Sequence, residues 1–187
     1  MVLLARQPGV GAVGAQLRAA DGQTWLGGMV LGLDEIAGPV HGRSASSPAH
    51  YGRLLLTQDV SCVSGACMAV SRAAFLSVGG LDESTLASSF TDVDFCIRLR
   101  NGGYRIIWTP HACLHHRRNK RAATTNGKAQ EKRRMEISQM RERWGTILER
   151  DPFWNPNLSL EFHYPQISSP PRVTRPWQEP RRVGKDA

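Results

Sequence analysis

Between Val93 and Leu99 the apolar residues recur at helical spacing, and from Tyr104 to Thr109 they alternate with the residues between them. That change of period predicts a helix followed at once by a strand. Val93, Cys96, Ile97 and Arg100 share one helical face, which Phe95 and Leu99 broaden. Thr91 or Asp92 is the expected N-cap, and Gly102-Gly103 ends the helix by permitting positive φ. In the strand, Tyr104, Ile106 and Trp108 alternate with Arg105, Ile107 and Thr109, and Pro110 is expected to close it, since proline cannot donate to a ladder.

The same reading extends in both directions. Val2–Ala5 ends a short helix, Pro8-Gly9 breaks it, and Val10–Arg18 is a strand whose glycines serve backbone packing; the spacing of Gly9, Gly11 and Gly14 fits no phosphate loop. Asp21-Gly22 is a turn, and Gln23–Leu33 a second strand or hairpin arm. Asp34–Ser47, rich in Gly, Pro, Ser and Ala, reads as a surface loop. Val60–Val70 suggests two strand segments meeting in a close turn or bulge at Gly65, where another backbone or a ligand can approach. Ser71 caps a helix over Arg72–Ser77 with Phe75 and Leu76 available to the core, and Gly79-Gly80 stops it. Lys128–Arg150 is an amphipathic helix with Ile137, Met140, Trp144, Ile147 and Leu148 along its apolar stripe. Its other face carries Lys132, Arg133, Arg134, Arg141 and Arg143 among acids, a solvated face or, as the sharper alternative, a contact for an anionic membrane. From Ile167 onward Pro, Arg and Ser dominate, which predicts a mobile basic tail.

Composition sets limits on this picture. A chain of 187 residues with 41% hydrophobic residues builds one modest core. The net charge of +8 suits a nucleotide diphosphate, an anionic membrane surface or nucleic acid. Nucleic acid is disfavoured, because no zinc-finger spacing or RNP-like aromatic motif accompanies the charge. Cys62, Cys67, Cys96 and Cys113 lack metal-site spacing and scaffold density, so free, buried thiols in a reducing compartment are expected. No apolar run is long enough to cross a membrane, which points to a soluble or peripheral protein.

The acids at the central helix start, Asp92 and Asp94, are accounted for by capping and the helix dipole when taken alone. Their company adds more. Upstream lies VSGACMAVSRAAFLSVGGLDES (Val63 to Ser84), downstream WTPHACLHH, and later RWGTILERDPFWNPNLS (Arg143 to Ser159). In this order and at these distances the blocks resemble the C-terminal half of family 2 glycosyltransferases, particularly rhamnosyltransferase-like members of bacterial cell-surface polysaccharide synthesis. The resemblance runs from about Pro8 to Asn157.

That resemblance implies an α/β fold: the acceptor-side part of a GT-A, nucleotide-diphospho-sugar transferase-like domain over 1–160, with a short mixed sheet, flanking helices and a tail at 161–187. The N-terminal nucleotide-binding half, with its DxD-like metal element, is not in this sequence, so the isolated chain is expected to be inactive or to need a separate N-terminal half. The implied reaction is inverting transfer from a nucleotide sugar to a glycan or lipid-linked acceptor. Asp92, matching the first acid of the family's "ED.D" element, would be the general base, accepting the proton of a poor hydroxyl nucleophile. Asp94 would support it by holding the helix start or a neighbouring basic residue, with an exchange of roles between the two left open. Asp82 of the "GG.DE" segment, Asp94 and Gly65 fall on the acceptor side. His116, with His115 beside it, falls on the family histidine near metal or diphosphate, and Arg118 would contact phosphate; the run Arg117–Arg121 departs from the family's "ES.SR" element. Trp154 takes the tyrosine place of a "DP.YNPN" turn. A divalent ion, Mg or Mn, and a cytoplasmic location, peripheral at the inner membrane face, belong to the same expectation. The competing reading is a noncatalytic basic module that binds an anionic membrane or polyanion.

Overall fold

The computed structural model describes residues 1–41, 52–116, 127–162 and 166–172. Its spine is Val10–Arg18 (β1), buried along nearly its whole length. One edge of β1 pairs in parallel with Arg105–His115 (β7). Its other edge takes two short antiparallel strands, Met68–Val70 (β6) against Ala12–Gly14 and Thr24–Leu26 (β2) against Leu17 and Arg18. Gln58–Asp59 (β5) pairs with the far edge of β7, which completes a mixed sheet. The fold is thus α/β, as expected, with the parallel pair at its centre.

Thr91–Asn101 (α3) packs across β1 and β7 and fills the space beneath with Val93, Phe95, Cys96, Ile97 and Leu99, all buried. Trp108 of β7 is buried beside them and its indole N–H donates to the Ala15 carbonyl at 3.2 Å. Close approach here needs small residues on β1. A Cβ built on Gly14 would lie 2.5 Å from Val63, and one on Gly11 would lie 2.7 Å from Tyr104. Gly14→Ala is therefore expected to destabilise the chain by about 1–3 kcal/mol through overpacking, a loss that urea denaturation measures directly.

Pro110 does not end β7. Ala15 faces Thr109 while Gln16 faces Cys113, so Pro110, His111 and Ala112 stand out of the ladder as a bulge. A bulge tolerates a residue without an N–H, and beyond it the strand resumes to His115. The expected arm at Gln23–Leu33 also divides. After β2, Met29–Leu31 (β3) leaves the main sheet and pairs with Ala37–Pro39 (β4). The turn between them carries Asp34 and Glu35 at φ 51° and 75°, and Ile36, Ala37 and Val40 are buried. The surface loop expected at Asp34–Ser47 is corrected there for its first seven residues, whose apolar side chains join the core. Residues 42–47 lie outside the described ones.

Gly65–Cys67 forms a single 3-10 turn between β5 and β6, the close turn of the two forms expected there, and the Ser64 hydroxyl accepts from the Ala66 amide at 3.2 Å. Arg72–Ser77 (α2) is capped as expected, the Ser71 hydroxyl accepting from the Ala74 amide at 3.1 Å. Leu76, at 58% exposed, takes no part in the core, whereas Phe75 packs against Phe95. Gly127–Glu149 (α4) buries Ile137, Met140 and Leu148. It lies against β3 and the Leu33–Ile36 turn. After it, Asp151 is buried and accepts from the Leu31 and Phe153 amides, both at 2.7 Å, while Trp154 packs into the core. The stretch 166–172 is tied to this turn: Ile167 bridges Leu158, and Arg172 donates to the carbonyls of Leu158 and Glu149.

Candidate functional site

The first turn of α3 is held by two segments that meet it from opposite sides. Phe90, buried, occupies the cap position without a side-chain cap, and Thr91 sends its hydroxyl hydrogen back to the Leu86 carbonyl. Neither Thr91 nor Asp92 is the N-cap, because the helix already includes both. On the other side, the Cys62 thiol points to the Val93 carbonyl at 3.9 Å and the Cys96 thiol to the Val63 carbonyl at 3.8 Å. These reciprocal contacts fix the Cys62–Gly65 backbone against the helix. Burial pushes the Cys62 thiol well up, so it stays an inert, protonated packing group.

With that backbone in place, Gly65 donates its amide hydrogen to Asp92 Oδ2 at 2.8 Å, and the Val93 amide donates to Oδ1 at 2.9 Å. Gly65 serves here through its backbone amide, and a Cβ on it would lie 3.4 Å from the Asp92 Cβ, an ordinary contact. Two amide hydrogens favour the carboxylate, yet burial outweighs them and raises the Asp92 carboxyl above its ordinary value. Each oxygen keeps a lone pair for a further donor.

Asp92 lines a half-open cavity of about 520 Å³. Met68, Val70, Phe75, Leu81 and Phe95 make its apolar wall. Gly65, Ser88, Ser89 and Thr91 join Asp92 on the polar side. A carboxylate with raised proton affinity lining a cavity this size is an arrangement suited to taking a proton from a bound hydroxyl.

The remaining expected site residues are placed elsewhere. Asp94 is fully buried and its oxygens are taken by Arg98 Nε at 2.8 Å, Arg143 Nη1 at 2.9 Å and Trp144 Nε1 at 2.9 Å. It holds neighbouring basic residues, the supporting task expected of it, and joins α3 to α4. Asp82 lines a neighbouring, more open depression with Glu83, Ser84, Arg98 and Arg143. Hydrogen bonds from Thr85, Ser84 and Arg143 hold its carboxyl far below the ordinary carboxylate range. Asp82 is a permanently charged turn anchor, ill suited to accept a proton.

His115 and His116 end β7 and are not among the residues lining the cavity. His115 is exposed, while His116 donates its amide to the Arg18 carbonyl at 2.8 Å and lays its ring 4.5 Å from that of Trp25. Arg118 lies outside the described residues. Among the described residues no three His, Cys, Asp or Glu side chains are placed to hold a metal ion together. The two imidazoles do not by themselves fit a divalent ion that favours oxygen ligands.

Two contributors escaped the sequence reading. They are Ser88 and Glu136 of α4, neither of which a sequence pattern singles out. Glu136 is 1% exposed, and its Oε1 accepts from the Ser88 amide at 3.0 Å and from the Ser88 hydroxyl at 2.7 Å. The available signal was its position, one residue before Ile137 and four before Met140, on the buried stripe. The basic face of α4 is exposed at Lys132, Arg134, Arg141 and Arg143, as a solvated face should be, and its arginines find acidic partners. Arg133 and Arg141 pair with Glu35, Arg143 with Asp82 and Asp94, and Glu131, Glu142 and Glu149 are exposed between the cations. No helix among the described residues is long and apolar enough to cross a membrane.

No protein-family profile matches the chain. It is similar to curated proteins in the following measure. Over 176 residues, 91% of this chain, it is 43% identical to an uncharacterised protein, y4gI, of Sinorhizobium fredii. Over 163 residues, 86% of this chain, it is 31% identical to the O-antigen biosynthesis protein RfbC of Myxococcus xanthus. Over 121 residues, 60% of this chain, it is 31% identical to the N-acetylglucosaminyl-diphospho-decaprenol L-rhamnosyltransferase of Mycobacterium tuberculosis. Distant homologues of the chain are thus named for surface-polysaccharide synthesis and for glycosyl transfer. The chain spans 19%, 12% and 39% of the lengths of these three relatives.

Proposed function

We propose that this chain forms the acceptor-side part of a family 2, GT-A glycosyltransferase that moves a sugar, with inversion, from a nucleotide donor to a hydroxyl of a saccharide or lipid-linked acceptor in bacterial surface-polysaccharide synthesis. The observation that carries the reading is the Asp92 carboxylate, raised in proton affinity and lining a cavity with Ser88, Ser89 and Thr91. The names of the Myxococcus and Mycobacterium relatives support the class of reaction.

The chemistry follows from the hydrogen-bond inventory. An acceptor hydroxyl in the cavity donates to a lone pair of Asp92 that Gly65 and Val93 leave over. As its oxygen bonds to the anomeric carbon, its proton passes to the carboxylate. The bond from that carbon to the phosphate oxygen breaks, and the nucleoside diphosphate leaves with the electron pair. Attack from the face opposite the leaving group inverts the anomeric centre. The apolar wall holds the C–H face of the acceptor and keeps water from competing, and the Gly65 and Val93 amides hold the carboxylate in place. Asp92 then returns its proton to water through the open side.

The test is a transfer assay on the full-length gene product with nucleotide-sugar donors and an N-acetylglucosaminyl lipid acceptor, followed by NMR of the product. Acceptor-dependent release of nucleoside diphosphate with an inverted linkage is expected. A product of retained configuration, or release that ignores the acceptor, contradicts the proposal.

A further inference from the structure

We infer that the Asp92 cavity selects its occupant by the hydrogens it donates, and so takes an uncharged group bearing several free hydroxyls in preference to a phosphate, sulfate or carboxylate. The inference rests on the acceptor reading above and narrows it. A hydroxyl has one hydrogen and two lone pairs. Ser88 spends its hydrogen on Glu136 Oε1, and that oxygen also takes the Ser88 amide hydrogen, so it acts as an acceptor towards both. Thr91 spends its own on the Leu86 carbonyl. Both side chains line the cavity with lone pairs left to offer, as does Asp92. Ser89 is the remaining hydroxyl, and no lysine, arginine or histidine stands among the described lining residues.

A ligand must therefore bring the hydrogens. An ether or phosphate oxygen set against these acceptors leaves polar groups unpaired, and an anion also meets the Asp92 charge without a cation to offset it. Glu136 acts through Ser88 as a positioning residue: from inside the core it fixes the orientation of a hydroxyl that a ligand touches.

The experiment follows the amides of Gly65, Ser88 and Ser89 by NMR in the full chain. It titrates N-acetylglucosamine, its per-O-methylated counterpart and N-acetylglucosamine 6-phosphate. The free sugar is expected to bind about tenfold or more tightly than the methylated one, a difference of one or two hydrogen bonds, and more tightly than the phosphate. Ser88→Ala is expected to narrow the ratio about three- to tenfold by weakening the free sugar. Glu136→Ala narrows it by the opposite route: it frees the Ser88 hydrogen to meet an ether oxygen. Glu136→Gln, whose amide carbonyl still accepts from Ser88, keeps the ratio. Should Glu136→Ala not fold, Ser88→Ala and Glu136→Gln decide. Equal binding of the methylated sugar, tighter binding of the phosphate, a ratio unmoved by Ser88→Ala, or no shift with any sugar overturns the inference. Loss of discrimination while transfer still depends on Asp92 overturns it alone; loss of both overturns the acceptor reading as well.

Discussion

Asp92→Asn is expected to cut transfer by about 10²–10⁴-fold, the usual worth of a positioned general base. Asparagine keeps the shape and one acceptor for the Gly65 or Val93 amide, but cannot take the proton. The pH dependence is set by burial, which raises the Asp92 carboxyl above its ordinary value. The acid limb of kcat/KM should lie above the usual aspartate range and vanish in the variant. Stability moves the other way. Because the folded chain holds this proton more tightly than the unfolded chain, ionised Asp92 costs stability at neutral pH. That cost is relieved as pH falls from the raised folded value towards the ordinary one. Wild type should therefore gain on Asp92→Asn over that window, which urea denaturation at a series of pH values would show. A base that costs stability where it works is a familiar trade between activity and folding.

Asp94→Ala carries the largest expected effect on stability, a loss of about 3–5 kcal/mol. The carboxylate is fully buried and accepts from Arg98, Arg143 and Trp144. Its removal leaves Arg98 Nε and the Trp144 indole N–H without their acceptor and takes one of its two carboxylate partners from Arg143, at the junction of α3 and α4. Arg143 retains its partner Asp82 and is more exposed, so Arg143→Ala should cost less. The denaturant midpoint should fall in that order, with the slope of the transition unchanged. If Asp94→Ala is as stable as wild type, the junction does not depend on this network.

These two aspartates, one residue apart on either side of Val93, show where the sequence was legible and where it was not. Helical period over 93–99, the switch to alternation at Tyr104, the Ser71 cap and the glycines after each helix are local signals, and α3, β7 and α2 follow from them. The role proposed for Asp92 rests on family resemblance, whereas the Gly65 amide that holds its carboxylate comes from 27 residues away in sequence, outside any local window. That Asp94 would hold a basic residue was legible, but not which ones: Arg143 and Trp144 are brought to it by tertiary packing that no local window contains. Pro110 reads as a stop only if the ladder is regular, and the bulge that admits it is a property of the pair β1–β7. Ile36 and Val40 sit in a stretch of loop-like composition, yet a tight left-handed turn folds them inward. Glu136 was hidden in plain view, a charge on an apolar stripe whose partner Ser88 is 48 residues away in sequence.

The measurement closest to the core of the account is a carbon-13 NMR titration of the Asp92 carboxyl in the full chain, with and without N-acetylglucosamine. It should titrate above the ordinary aspartate range and move when the sugar is added. Titration at or below that range, or a signal indifferent to the sugar, would mean that this carboxylate does not receive the acceptor's proton.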